Sequence, residues 1–296
     1  MVTDYELLYD LPSGEYEAKG VPGIRTVTIR AGRSLEIMCH PIGKLSADAR
    51  REAKERRTKP AMELLNHRNR ERHMMRLIEF NFTAAAQVVT LTYDYPTEDY
   101  GLASLNDLQA VYTAHDLPEE KADVNRHLRS FRARLATAIR RAGGDPRRMK
   151  WLFRIEQGKE PPVGGLPPRF HVHGLIECDG LTRQMIDDAW PRGYTRAEAL
   201  DTRNDGPMRL ARYINKTRAR GRWWSHSRNL RTPAPRVSDR KISRRRVALM
   251  AEDVRRNGRE ILEKLYPGYK LVELPEIRYS DFCPGVYIYA RMRKRD

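Results

Sequence analysis

Two histidines stand one residue apart in "RFHVHGLIE", residues 169 to 177, just after a pair of prolines. Imidazoles there could ligate a metal, satisfy one another in a core, or contact bases in nucleic acid. In a strand, side chains at i and i+2 share a face. His171 and His173 therefore point one way, with Val172 and Gly174 on the other side. Two imidazoles on one strand can hold a single ion but rarely complete its site. The preceding apolar stretch, "WLFRIEQ", offers Glu156, which an antiparallel hairpin would bring alongside. Two imidazoles, a carboxylate and open positions suit Mn²⁺ or Mg²⁺, with water or phosphate oxygen filling the remainder.

A second constellation follows in "ARYINKT", where Tyr213 and Lys216 are three apart on a predicted helix and so lie on neighbouring faces of one turn. A phenol beside positive charge can become a nucleophile, because its pKa, ordinarily about 10, falls there. Lys216 could supply part of that charge or steady a phosphate or leaving oxygen. The ordinary alternative is a tyrosine packed with its hydroxyl at the surface. Histidine-triad nucleotide hydrolases are excluded, since a third histidine would have to stand at Leu175.

The elements that must position these groups are legible around them. "AAQVVTLTYDYP" is a β-branched strand ending at a proline; its Thr90 and Thr92 could face the metal side of the sheet but are read as strand-favouring residues outside the site. In "PEEKADVNRHLRSFRARLATAIRRAGGDP", Val124, Leu128, Phe131, Leu135 and Ile139 recur at helical spacing. Acids lead that helix, arginines close it and Gly143-Gly144 stop it. "MKWLFRIEQG" and "RFHVHGLIEC" read as a hairpin across a turn-rich connection, and "TRQMIDDAW" as a short helix. Upstream, "RTVTIRAG" and "SLEIMCH" suggest a small hairpin within residues 1 to 45. A charged helical stretch follows, interrupted at Pro60. Downstream lie a helical region near "RRVALMAEDVRRNGREILEKLY" and two late strands, "KLVELPEIRYS" and "GVYIYARMRK". The pattern predicts an α+β fold, a central antiparallel sheet with helices on one face. Three regions follow: an N-terminal lead-in and basic helical region (1–80), a domain carrying the chemistry (81–225), and a basic extension with a helix and late strands (226–296).

Charge points to the partner. Lys and Arg number 56 against 39 Asp and Glu, a net +17 over 296 residues. Between Arg203 and Gly258 there are 17 Lys/Arg and 4 Asp/Glu. Such an excess attracts polyanions through phosphate contacts and counterion release. Nothing in the chain looks like a lipidation signal or a long amphipathic face, so nucleic acid is favoured over a membrane surface. Cys39, Cys178 and Cys283 are far apart and form neither a disulfide framework nor a thiolate zinc motif. The acidic N-terminus lacks the apolar core of a signal peptide, so a cytoplasmic protein is expected.

These pieces, in this order, resemble the rolling-circle replication initiators of the HUH endonuclease superfamily. The shared features are a strand like "VVTLTY" (88–93), the His-apolar-His strand "FHVHGLI" (170–176) and a Tyr-x-x-Lys helix, "YINK" (213–216). The likeness is closer to the phage and plasmid replication-associated proteins related to the filamentous-phage gene II initiator. In those, a basic helix leads through a segment like "LIEFNF" into the TLTY strand, and one like "RWWSHSRNLRTP" follows the tyrosine helix. The likeness spans about residues 60 to 235.

The resemblance implies an RRM- or ferredoxin-like core and a divalent metal held by His171, His173 and Glu156. "QGKEPPVGGLPPR" is longer than a tight hairpin connection, so Glu177 stands as the alternative third ligand. Tyr213 would be the single nucleophile and Lys216 its helper, since Thr217 occupies the place of a second tyrosine. The implied reaction is nicking of single-stranded or melted origin DNA, giving a 5′-phosphotyrosine and a free 3′-hydroxyl. The implied surroundings are a bacterial host cytoplasm with a host helicase and polymerase. No GxxxxGK[ST] motif for a fused helicase is present. Arg212, Arg218, Arg220, Arg222, Trp223, Trp224 and Arg228 would contact DNA, arginines on phosphates and indoles on bases, unless the tryptophans belong to the core and the arginines to a solvated face. A transposase or relaxase with the same chemistry, or a non-catalytic nucleic-acid-binding protein, are the competing readings.

Overall fold

A computed structural model of the protein describes residues 23–42, 59–94, 110–111, 117–158, 169–203, 205–216, 224–279 and 285–295. In chain order they begin with β1 (Ile24–Ala31), β2 (Ser34–Pro41), α1 (Lys59–Asn81), β3 (Gln87–Thr92) and α2 (Lys121–Arg141). Next come β4 (Lys150–Gln157), β5 (Phe170–Glu177), α3 (Arg183–Ala189), β6 (Thr195–Ala199), α4 (Gly206–Asn215) and β7 (Trp224–His226). The series closes with β8 (Pro235–Ser238), α5 (Arg244–Glu252), α6 (Arg259–Leu265), β9 (Tyr269–Leu271), β10 (Glu276–Tyr279) and β11 (Val286–Lys294). The fold is α+β with antiparallel sheets, as the sequence predicts. The chain forms two compact units, Met1–Phe80 with Arg231–Asp296, and Asn81–Leu230.

The first unit draws on both ends of the chain. Its sheet runs β10-β11-β2-β1-β8, with β9 also paired to β11. β1 and β2 form the expected hairpin, closed by Gly32-Arg33, where Gly32 takes a φ of +52° that a side chain would resist. One face of this sheet is apolar and packs Leu35, Ile37, Ile288 and Met292 with Val247, Met250 and Leu262 from α5 and α6. On β2, Glu36 accepts a hydrogen bond from Tyr289 Oη (2.6 Å) and pairs with Arg76 of α1. α1 is described from Lys59 onward, with Pro60 helical at its start; the charged stretch expected before Pro60 lies outside the described residues.

The second unit holds a five-stranded sheet in the order β6-β3-β5-β4-β7. Alternation sorts its residues. Val89, Leu91, Phe153, Ile155, Phe170, Val172, Ile176 and Ala197 all belong to one core cluster, against which α2 buries Val124, Leu128, Phe131, Leu135 and Ile139. Each of these side chains larger than alanine contributes roughly 1.5–3 kcal/mol by leaving water. α2 itself is fixed at both ends: a Glu120–Asp123 capping box starts it. At its end Gly143 N donates to Arg140 O and Gly144 N to Ile139 O, with Gly143 at φ +81°, a Schellman close.

Two expectations are corrected. The described residues form two sheets rather than one central sheet, because the terminal segments pair with each other: β8 with β1, and β11 with β2. Helices also lie on both faces of the five-stranded sheet. α2 and α3 pack on the core face, whereas α4 lies on the opposite, histidine-bearing face. That second face is partly polar, so it did not announce a helix partner through apolar periodicity.

Gly174, between the histidine pair and the core, shows how tightly β5 is held. A Cβ there would collide with the Leu152 carbonyl oxygen and with the Phe153 ring lying across it. Gly174→Ala is expected to lower stability by about 1–3 kcal/mol in denaturant unfolding, the usual cost of overfilling a packed site. A variant as stable as the parent would show that the ring moves aside freely.

Candidate metal and tyrosine site

Strand register builds the site. Glu156 lies directly opposite His171, and Arg154 opposite His173, on the paired strands β4 and β5. On the other side of β5, Thr92 faces His171 and Thr90 faces His173. Opposed residues share a face, so these six side chains line the surface turned away from the core. The Nε2 atoms of His171 and His173 each lie 3.4 Å from Glu156 Oε2. One ligand atom from each of the three residues falls within 4.8 Å of the others, a group that could hold a metal ion.

The donors fit a divalent cation. His173 Nε2 is buried and makes no hydrogen bond, since its approach to Glu156 is too poorly aligned for one. A buried imidazole nitrogen left this way is costly unless something else, such as a cation, occupies its lone pair. Burial and the neighbouring His171 pull the His173 pKa from 6.5 down to about 4. Lys216 and Arg154 push in the same direction, and Glu156 opposes them. The ring is thus neutral near pH 7, the form that ligates.

Glu177, the alternative ligand, is engaged elsewhere. It accepts from Thr83 N (2.6 Å) and Lys150 Nζ (3.1 Å), and it lies opposite Lys150 rather than beside the histidines. The choice between the two carboxylates is therefore a matter of register, and Glu156 has it.

α4 brings the second half. Its buried stripe, Met208, Ala211, Ile214 and Asn215, turns toward the protein, with Tyr213 at the margin of that stripe. The Tyr213 ring centre sits 5.1 Å from that of His173, while nearly half of the residue is exposed (49%). Lys216 caps the helix with its Nζ 4.7 Å from the centre of the Tyr213 ring and 3.7 Å from Glu156 Oε1. The C-terminal turn is tied down by Asn215, which accepts from Arg154 Nη1 (3.4 Å) and donates to Ala211 O (2.9 Å). A half-exposed phenol beside three converging ligands, with an ammonium above it, can reach a bound anion from solvent.

Of the remaining expected contacts, Arg212 and Arg228 are exposed, and Trp224 is half-buried on the edge strand β7. Arg218, Arg220, Arg222 and Trp223 lie outside the described residues. Arg154 and Asn215 were not anticipated, and Thr90, set aside above as a strand-favouring residue, lies in the site. Arg154 was findable, because it precedes Glu156 by two and so shares its face. Alternation could place Thr90 on one face of its strand, but its contact with His173 depends on pairing across strands.

Thr90 Oγ1 lies 3.1 Å from His173 Nδ1. When His173 ligates through Nε2, its Nδ1–H donates to that hydroxyl, fixing the tautomer and the ring. Thr90→Val should weaken Mn²⁺ binding about 10- to 100-fold in calorimetric titration, and Thr90→Ser should retain it. Equal affinity for all three chains would remove Thr90 from the site.

No helix among the described residues is long and apolar enough to cross a membrane. No family model, curated protein or solved structure matches the chain.

Proposed function

We propose that this protein cuts and rejoins single-stranded DNA through a covalent tyrosine intermediate, as a single-tyrosine rolling-circle replication initiator of the HUH kind. On this reading the five-stranded sheet is the RRM- or ferredoxin-like nicking core. The observation that carries the proposal is the convergence of Glu156, His171 and His173 beside the ring of Tyr213, at the spacing given above. The strong positive charge supports a polyanionic substrate. The choice of a replication origin over a transposon end or transfer origin rests on the resemblance of the flanking segments.

Glu156, His171 and His173 would hold Mn²⁺ or Mg²⁺. When bound, such an ion supplies Lewis-acid polarisation of a non-bridging phosphate oxygen and a template for in-line attack. The chain's own groups do the rest. Tyr213 Oη bonds to phosphorus as the bond from phosphorus to the 3′ oxygen breaks; the phenol loses its proton and the 3′ oxygen gains one. The products are a 5′-phosphotyrosine and a free 3′-hydroxyl that primes synthesis. Lys216 places a cation where negative charge develops. One phosphodiester replaces another, so reversal of the step ligates the strand without ATP.

Incubation with labelled origin-bearing single-stranded DNA and Mn²⁺ should yield a protein–DNA band that survives denaturation and disappears with a chelator. Salt-sensitive DNA binding without any such band would support a non-catalytic nucleic-acid-binding protein instead.

A further inference from the structure

Among the described residues, one indole lies on the site's side of the sheet and outside the core. The core of this unit already takes Trp190, fully buried, and packs Trp151 at its edge beneath Arg132. Trp224 belongs to neither described core cluster. It lies on β7 opposite Arg154, which in turn lies opposite His173. Trp224 and His226, two apart, therefore project from the face that carries the metal ligands, while Ser225 pairs with Phe153 on the other.

The two rings stack on each other, with centroids 5.5 Å apart and planes at 29°. His226 is oriented from behind. Its Nδ1 lies 2.9 Å from the Ser227 carbonyl oxygen, which can only accept, so Nδ1 carries the proton and Nε2 is an acceptor when the ring is neutral. Both residues are half-buried. The indole keeps part of its surface in water, with an ordered imidazole stacked behind it. A flat π-surface of that kind suits a nucleobase, since every base has a face to stack.

We infer that Trp224, backed by His226, is a stacking platform for an unpaired base near the phosphate that Tyr213 attacks. This rests on the reading of the site as a DNA-processing centre and adds a base subsite to it. Two strand spacings of roughly 4.8 Å separate β7 from β5, which puts the platform about 10 Å from the ligands. That distance corresponds to within about three nucleotides of a stacked strand. The base so held fixes which phosphodiester is presented to Tyr213. Only a base free of its complement exposes a face to stack, so the platform favours single-stranded or melted DNA over duplex.

The test is a binding cycle that needs no cleavage. The full chain carrying Tyr213→Phe is titrated, without metal, against fluorescent oligothymidylate about fifteen nucleotides long and against an abasic chain of equal length. Oligothymidylate should bind more tightly, and Trp224→Ala should cut that preference about tenfold. The slope of log affinity against log salt should not change, because no phosphate contact is removed. Trp224→Phe should keep most of the preference and Trp224→Leu, apolar but without a π-face, should lose it. That pair decides the matter if Trp224→Ala does not fold. An unchanged preference in Trp224→Ala or Trp224→Leu, or an equal loss on both probes, would overturn the inference. Failure of the wild-type chain to form a covalent band would sink the nicking reading and leave this ratio untouched.

Discussion

Tyr213→Phe is expected to abolish the covalent protein–DNA band, lowering its rate of formation by about 10⁴-fold or more, as loss of a nucleophile does. The substitution removes one oxygen and keeps the ring that packs beside His173. Tyr213 is half exposed, so stability should move by no more than about 0.5 kcal/mol. DNA affinity should stay within about twofold, because the substitution removes no basic residue. The contrast between lost adduct and retained binding is what a nucleophile predicts; a packing role would reduce both or neither. Denaturing gels for the adduct and anisotropy for binding read the two arms. An undiminished adduct would take the nucleophile's role from Tyr213.

The second large effect concerns the ligands. Replacing His171 and His173 together with alanine should eliminate measurable Mn²⁺ binding and lower nicking by at least about 10²-fold, beyond the loss that altered supporting groups produce. Glu156→Gln should do nearly as much, because it keeps the shape but removes the anionic donor that faces both rings. Glu177→Gln should leave metal binding unchanged, since that carboxylate serves Thr83 and Lys150. Salt-dependent DNA binding should persist in all of these chains. Mn²⁺ titration followed by electron paramagnetic resonance separates the two glutamates directly. Nicking that survives both a chelator and the double histidine variant would remove the metal from the mechanism.

Much of the fold near the site was readable. The apolar stripe of α2 and its glycine stop are local patterns, and each is realised at the residues that carry the pattern. The hairpin of β4 and β5 was visible in two apolar runs separated by turn residues. The short strands β6 and β7 were not: "TRAEA" and "WSH" carry too few apolar residues to alternate visibly, and they form because neighbouring strands offer edges. Nor did the terminal segments reveal that they share a sheet, since pairing between residues more than 200 apart leaves no local trace.

The sequence by itself determined what periodicity determines. His171 and His173 share a face because a strand repeats every two residues, and Tyr213 and Lys216 are neighbours because a helix returns every three or four. The charge needed to attract a polyanion was likewise a matter of composition. Only tertiary structure decided that Glu156, not Glu177, completes the group, that Thr90 steadies His173, and that Trp224 stands on the same face. Each depends on cross-strand register. The connection between β4 and β5 is too long to impose one, so register is set by packing Phe153, Ile155 and Val172 together on the core face. A slip of one residue would bury Glu156 in that core and turn Ile155 toward the histidines, so the packing that holds the sheet together also assembles the site.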